Sequence, residues 1–407
     1  MAVHVYIAEG YPDLADRDVF RLFHVLSQGQ TMLRAVVRAF GEPRQAVGLQ
    51  ETERTAPGPG EVEIRIRRAA INPSDLIPVT GAYRSRTALP FVPGFEGVGE
   101  IVRMGDGVAE AYPPLACRPS PPQGGRSAGG WNPAHAASSL GRKMVPHPIS
   151  PLEGEMAGRP EGGEPQTALR LSTGQRVLPI GASGLWQEYL VRPAAWCFAV
   201  PDDLSDDDAA MAYVNPLTAF RLVEAVGTHF GAADGRRVGV TAAASAIGKM
   251  LLVLLADAEF RPVALVRSTA TAARLREGFS GEIVAGTAPV LDAVLDAVGG
   301  AAGDALFRQI RPGGAFIQYG ALSGAQLDPA LVSARREAVA FSFLWLRNWV
   351  HSAPRAAIEA AFARSFSGIR AGVLGSAVDG VFPLSDLAAA LARQEDPARK
   401  GKLLLAP

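Results

Sequence analysis

Arg237-Val238-Gly239-Val240-Thr241-Ala242-Ala243-Ala244-Ser245-Ala246-Ile247-Gly248 is the stretch on which the fold turns. Its first four residues read as a short buried strand. Ala246 to Ala256 reads as a buried helix, and the small residues between the two as a tight turn. Working outward, Val263 to Val266, Val290 to Val298 and Ala315 to Tyr319 read as further strands, and Ala356 to Phe366 as a helix. Strands alternating with helices imply a parallel sheet covered on both faces, an α/β doubly wound arrangement. Upstream, Val62-Glu63-Ile64-Arg65-Ile66-Arg67 alternates with the period of a half-buried strand, after the turn Pro57-Gly58-Pro59-Gly60. Leu33 to Val37 and Val98 to Val102 read as strands of the same region, and Lys402 to Leu405 as a closing strand. The chain is therefore expected to hold a β-rich domain over 32–214, a parallel-sheet domain over 215–349, and a return to the β-rich domain over 350–407.

A strand-to-helix turn of small residues is where amides at a helix N-terminus can meet a dinucleotide pyrophosphate. The glycine fingerprint is degenerate here, with Ala243, Ser245 and Gly248 in its three slots. Small residues in such a turn also serve close packing alone, so the surrounding topology carries the reading. After the second strand, Arg267-Ser268-Thr269 stands where an NAD site would place an acidic residue. A guanidinium and two hydroxyls suit the 2′-phosphate of NADPH instead. The plain alternative is a solvated arginine.

Composition narrows the remaining classes. Lys+Arg and Asp+Glu are 40 each over 407 residues, which argues against a polyanion-binding surface and a nucleic-acid partner. Only four of those cations are Lys, and with the abundant Ala this is the bias of a GC-rich bacterial genome. The longest aliphatic run, Met250 to Ala256, is too short to span a bilayer. Cys117 and Cys197 supply neither a disulfide framework nor a cysteine metal cluster. A soluble, cytoplasmic protein is expected. Residues 1–31 fit no targeting signal and read as an extension from an upstream start, in which Arg17 to Phe23 could make two helical turns. Residues 109–170 read as a disordered low-complexity insertion without chemistry, since 113–165 hold 11 of the 31 prolines and no periodicity.

Further stretches carry a resemblance: Ile71-Asn72-Pro73-Ser74-Asp75, Pro93-Gly94-Phe95-Glu96-Gly97-Val98-Gly99, Asn215-Pro216-Leu217-Thr218-Ala219-Phe220, Asp296-Ala297-Val298-Gly299-Gly300, Arg311-Pro312-Gly313-Gly314 and Gly401-Lys402-Leu403. Over 32–108 and 172–407 the chain resembles the zinc-independent branch of the medium-chain dehydrogenase/reductase superfamily. The resemblance implies a GroES-like catalytic domain bracketing a Rossmann domain, substrate in the cleft between them, and a homodimer through the nucleotide-domain sheet. Within the branch the chain is similar to the trans-2-enoyl thioester reductases. Gly81-Ala82-Tyr83 matches their active-site tyrosine loop, Leu344 to Trp349 their segment beside the nicotinamide, and Gly184 to Tyr189 their Gly-x-Trp strand. By that match Asn215, Thr218, Ala244, Ser245, Ala246, Ile247, Gly248, Arg267, Ser268, Thr269, Tyr319, Gly320, Ala321, Leu322, Leu344, Trp345, Leu346 and Lys402 would contact NADPH. Tyr83 would be catalytic, and Asn72 and Trp186 would line the substrate cleft. There are two departures. The span Arg267 to Leu291 is short enough to lack a helix, and the insertion separates strands that are normally adjacent.

Zinc-dependent relatives need Cys and His ligands in the cleft, whereas Asn72 and Phe95 stand at those positions, so no metal is expected. Some other group must then stabilise negative charge developing on the substrate oxygen. An α,β-unsaturated acyl thioester, on CoA or an acyl carrier protein, fits: hydride at Cβ gives an enolate held by hydrogen-bond donors, and Tyr83 gives a proton to Cα directly or through water. The plain alternative for Tyr83 is an exposed loop residue beside Arg84 and Arg86, and for Trp186 a core aromatic. The rival functions are an NADPH:quinone reductase of the same branch, which needs no Tyr83 donor, and a nucleotide-binding pseudoenzyme. Gly181-Ala182-Ser183-Gly184 is not a nucleophile elbow, which leaves a hydrolase without support.

Overall fold

The structure, a computed structural model, describes residues 31–108 and 170–407. The expected N-terminal extension with its short helix, and all but the last residue of the insertion, lie outside the described residues.

Seven strands precede the nucleotide half: β1 (Thr31–Val37), β2 (Val47–Glu53), β3 (Glu61–Ile71), β4 (Gly97–Met104), β5 (Arg176–Pro179), β6 (Tyr189–Pro193) and β7 (Cys197–Ala199). Six follow within it: β8 (Arg237–Val240), β9 (Arg261–Val266), β10 (Glu282–Ala285), β11 (Leu291–Asp296), β12 (Ile310–Gln318) and β13 (Val339–Phe343). β14 (Val378–Pro383) and β15 (Lys402–Ala406) return to the first sheet, where β15 pairs antiparallel with β3. In β3, Val62, Ile64 and Ile66 are buried while Arg65 between them is exposed, as the alternation requires. β4 and β5 lie either side of the insertion in sequence yet pair directly, Gly99 with Val177 and Glu100 with Arg176. The insertion therefore leaves the sheet's pairing intact.

β8 to β13 form one parallel sheet in the order β10-β9-β8-β11-β12-β13. That is the doubly wound order of a dinucleotide-binding fold. Every residue of β11 is buried, as in a central strand covered on both faces. The expected shortening falls on one connection. Helix Thr269–Arg276 joins β9 to β10, but residues 286–290 join β10 to β11 without a helix. Side chains close the space instead. A Cβ on Gly239 of β8 would lie 2.7 Å from Leu291 and 3.1 Å from Leu265, so these two leucines lie across the bare strand. They belong to a buried cluster with Val263, Val294, Phe307, Ile310 and Phe316.

Candidate active site

The turn after β8 is fixed from beneath. Thr241 donates its hydroxyl to Asp296 Oδ1 at 2.8 Å and accepts the Ala297 amide at 2.8 Å. Burial pushes the Asp296 carboxyl up, against the donors from Val298, Thr241 and Gly299 that pull it down. Ala242, not Ala243, takes the left-handed conformation of the turn, with φ +48°. The sequence reading thus placed the first small-residue slot one position late. Gly248 is required by contact: a Cβ there would sit 2.6 Å from the Ala242 carbonyl oxygen. Ser245 caps helix Ala246–Asp257 by accepting the Gly248 amide, while the amides of Ala246 and Ile247 have no acceptor among the described residues. Open amides, a close-packed glycine and the positive end of a 12-residue helix make a cradle that fits a pyrophosphate.

Beyond β9, Arg267 is exposed and bonds to no carboxylate among the described residues. Ser268 caps the next helix through the Thr271 amide. At the end of β12, Tyr319 Oη and Gln318 Oε1 are buried without a partner among the described residues. Burial, with Asp296 nearby, pushes the Tyr319 phenol up. Gly320 backs onto Ala297, whereas Ala321 is half-buried and Leu322 exposed. Leu344 and Leu346 are half-buried, and Trp345 is exposed beside Phe343 with ring centroids 6.1 Å apart. Asn215 and Thr218 are buried on helix Val214–Phe230.

The amino end of that helix meets the first sheet at a buried polar cluster. Glu96 Oε2 accepts the Val214 amide at 2.6 Å, and its Oε1 accepts Asn72 Nδ2 at 3.1 Å. Lys402, the first residue of β15, donates from Nζ to Asn72 Oδ1 and stands 3.9 Å from Glu96 Oε1. Asp75 accepts the amides of Asn72 at 2.7 Å and Phe95 at 2.8 Å. Burial pushes Asp75 up to about 7, the two amides pulling against it. Burial also depresses Lys402, while Glu96 and Asp75 favour its charge. Asn72 is 2% exposed, gives one N–H of its amide to Glu96 and accepts from Lys402 at Oδ1, so it links the two. Trp186 is 0% exposed, donates to the Ala70 carbonyl at 3.2 Å and lies under Gly94. It is a core residue, and its expected place on the cleft wall is corrected. Lys402 likewise points into the cluster. Glu96 and Asp75 had no assigned role in the sequence reading; their signal was an acid set among small and apolar neighbours in Pro93–Gly99 and behind Pro73-Ser74.

Tyr83 lies on the turn 81–86, where Gly81 has φ +80° and Arg86 donates its amide to the Tyr83 carbonyl at 2.8 Å. Its side chain is 40% exposed and its hydroxyl has no partner among the described residues. Two grooves, of about 560 and 360 Å³, open near Gly231–Asp234 and Arg236–Arg237 and contain none of these residues.

Residues 58–113 match the family model of the alcohol dehydrogenase GroES-like domain, and residues 268–405 that of the zinc-binding dehydrogenases. The chain belongs to the medium-chain dehydrogenase/reductase family. A Bacillus thuringiensis protein described as an NADPH:quinone reductase has a similar structure, with TM-score 0.71 and 25% identity, over 93% of this chain and 99% of that one. The human synaptic vesicle membrane protein VAT-1 homolog is 22% identical over 384 residues, 86% of this chain and 80% of the relative. The mitochondrial enoyl-[acyl-carrier-protein] reductase of Arabidopsis thaliana is 23% identical over 307 residues, 71% of this chain and 65% of the relative. Membership accounts for the pairing of a GroES-like sheet with a Rossmann sheet in one chain. Among the described residues no helix is long and apolar enough to cross a membrane, and no three His, Cys, Asp or Glu side chains converge as a metal would need.

Proposed function

We propose that this chain reduces an activated C=C bond at the expense of NADPH, and that the bond is that of a 2-enoyl thioester on CoA or an acyl carrier protein. The observation that carries the substrate class is Tyr83, a phenol exposed on a turn with no partner to hold it among the described residues. NADPH, when bound, supplies the hydride. The amides of Ala246 and Ile247 hold its pyrophosphate, and Arg267 with Ser268 and Thr269 its 2′-phosphate. The buried, unpartnered Tyr319 hydroxyl supports a polar group of the cofactor docking beside β12. Asn215, Thr218, Ala244, Gly320 to Leu322 and Leu344 to Leu346 complete the walls. Tyr83 delivers the proton to Cα.

The second reading is a quinone reductase, favoured by the similarity to the Bacillus thuringiensis structure. Tyr83→Phe separates the two. If the phenol is the acid, enoyl reduction drops by about one to three orders of magnitude while quinone reduction stays within twofold. Equal loss or equal retention on both substrates removes Tyr83 from the mechanism. NADPH binding without turnover of either substrate in the wild type would leave a pseudoenzyme.

We infer that the chain also pairs as a homodimer along β13, one of the two edges of the nucleotide sheet, where Phe343 is 49% exposed. Sedimentation equilibrium should give twice the 42.7 kDa chain mass, and Phe343→Lys should give the monomer.

A further inference from the structure

The strands of the nucleotide sheet run parallel, so the cofactor turn lies past their carboxyl ends and their amino ends gather on the opposite side. There Arg237 opens β8, its cross-strand neighbour Arg261 opens β9, and Arg311 is the second residue of β12. With Arg236, Asp234 and Asp292 they line the groove of about 360 Å³. Two of these four cations are met within the fold. Arg237 Nη2 donates to both oxygens of Glu282, at 2.5 and 2.7 Å, and Arg311 Nη1 to Asp292 Oδ1 at 3.3 Å. Asp292 also accepts the Arg237 amide at 2.7 Å, so both its oxygens are engaged.

Arg236 and Arg261 meet no carboxylate among the described residues. The Arg236 guanidinium lies over the Phe230 ring, 4.6 Å from its centroid, and its Nε is buried without an acceptor among those residues. Arg261 lies across the bare face of Gly235, where a Cβ would stand 3.1 Å from its Nε, and its amide bonds to the Arg236 carbonyl at 2.8 Å. Asp234, exposed on the turn before them, is bonded to neither. An empty buried donor carries the cost of its lost hydration, and neighbouring like charges repel. An anion in the groove relieves both.

The donor set selects the anion. One guanidinium fork fills a planar carboxylate, whereas a phosphoryl group has three terminal oxygens and close to two charges to share among several arginines. The volume is at the small end of ligand sites, about 300–1,000 Å³. Asp234 also lines the adjoining groove of about 560 Å³, whose lining includes Phe220, Val223 and Phe260, so an organic group has apolar surface to lie on.

We propose that this groove binds a small phosphate monoester, its phosphoryl oxygens on Arg236, Arg261 and Arg311 and its organic group toward Phe260. The site is distinct from the cofactor's: Arg267 follows the far end of β9, and six residues of strand separate the two by roughly 20 Å. The inference stands whether or not the chain reduces an enoyl thioester.

Isothermal titration calorimetry of the full chain with phenyl phosphate and with inorganic phosphate, at physiological salt, tests it. Phenyl phosphate should bind at one site per chain, at least threefold tighter than inorganic phosphate. Arg261→Gln and Arg236→Gln should each weaken it about tenfold or more, and Arg267→Gln should leave it unchanged. Arg261 is exposed, so its variant should keep the wild-type melt even if Arg236→Gln loses stability with its packing on Phe230. Absence of saturable binding by the wild type overturns the proposal. So does binding weakened by Arg267→Gln but not by Arg261→Gln, which would place the phosphate at the cofactor site. Equal affinity for the two probes overturns the ester and leaves inorganic phosphate as the ligand.

Discussion

Arg267 follows β9 with its guanidinium exposed and no carboxylate to hold it among the described residues. A phosphate ester would supply that partner through charge-assisted hydrogen bonds, each about 1.5–3 kcal/mol. Arg267→Gln should therefore weaken NADPH about ten- to a hundredfold and leave NADH unchanged, by fluorescence titration of each. Equal weakening of both would mean that the side chain only shapes the turn. Arg267 stands out in the sequence because its sign departs from what an NAD site needs at that place, and its role as a phosphate partner is what the titration tests. Lys402 was not legible as a cluster residue. Its ammonium meets Asn72 across 330 positions of sequence, and no local pattern encodes which buried oxygen a lysine reaches. Trp186 shows the same limit, since an aromatic reads alike whether it lines a cleft or fills the space under Gly94.

Helix Ala246–Asp257 and its turn show how far an element can be read ahead of its contacts. The helix, the strands either side and the doubly wound order follow from apolar runs, because central parallel strands are buried on both faces. The register of the turn does not. Three alanines in a row, Ala242 to Ala244, are interchangeable in sequence, and only the backbone shows which is left-handed. Gly248 is different, since its missing side chain is read directly as room for the Ala242 carbonyl. Gly248→Ala must push the helix off the strand, and we expect a loss of about 1–3 kcal/mol together with at least tenfold weaker NADPH binding. Thermal melts and fluorescence titration check both, and an unchanged melt would show that the helix is free to move. The span Arg267 to Leu291 reads as short in the sequence; it keeps the helix Thr269–Arg276 and has none between β10 and β11. Its closure by Leu265 and Leu291 over Gly239 depends on a contact between strands that the sequence does not pair.

Across the whole molecule the two kinds of buried acid pull stability in opposite directions with pH. Burial raises Glu63, but Arg103 at 2.5 Å and Arg54 at 2.9 Å outweigh it and hold the carboxyl below its ordinary 4.5. Folding there disfavours the proton, so the stability Glu63 gives is present above that value and lost as the pH falls. Asp75 is raised by burial from 3.8 to about 7, so the folded chain holds its proton and stability declines as the pH rises between those values. Calorimetry should find the melting temperature highest near about pH 5. Glu63→Gln should flatten the acid limb, and Asp75→Asn the fall toward neutrality. Limbs unmoved by either change would assign them to other groups. The central claim is tested most directly by following the reduced-nicotinamide absorbance of the wild-type protein with crotonyl-CoA and with an ortho-quinone, using NADPH and then NADH. The account predicts steady oxidation of NADPH with crotonyl-CoA and a much slower rate with NADH. Turnover with the quinone alone would contradict it.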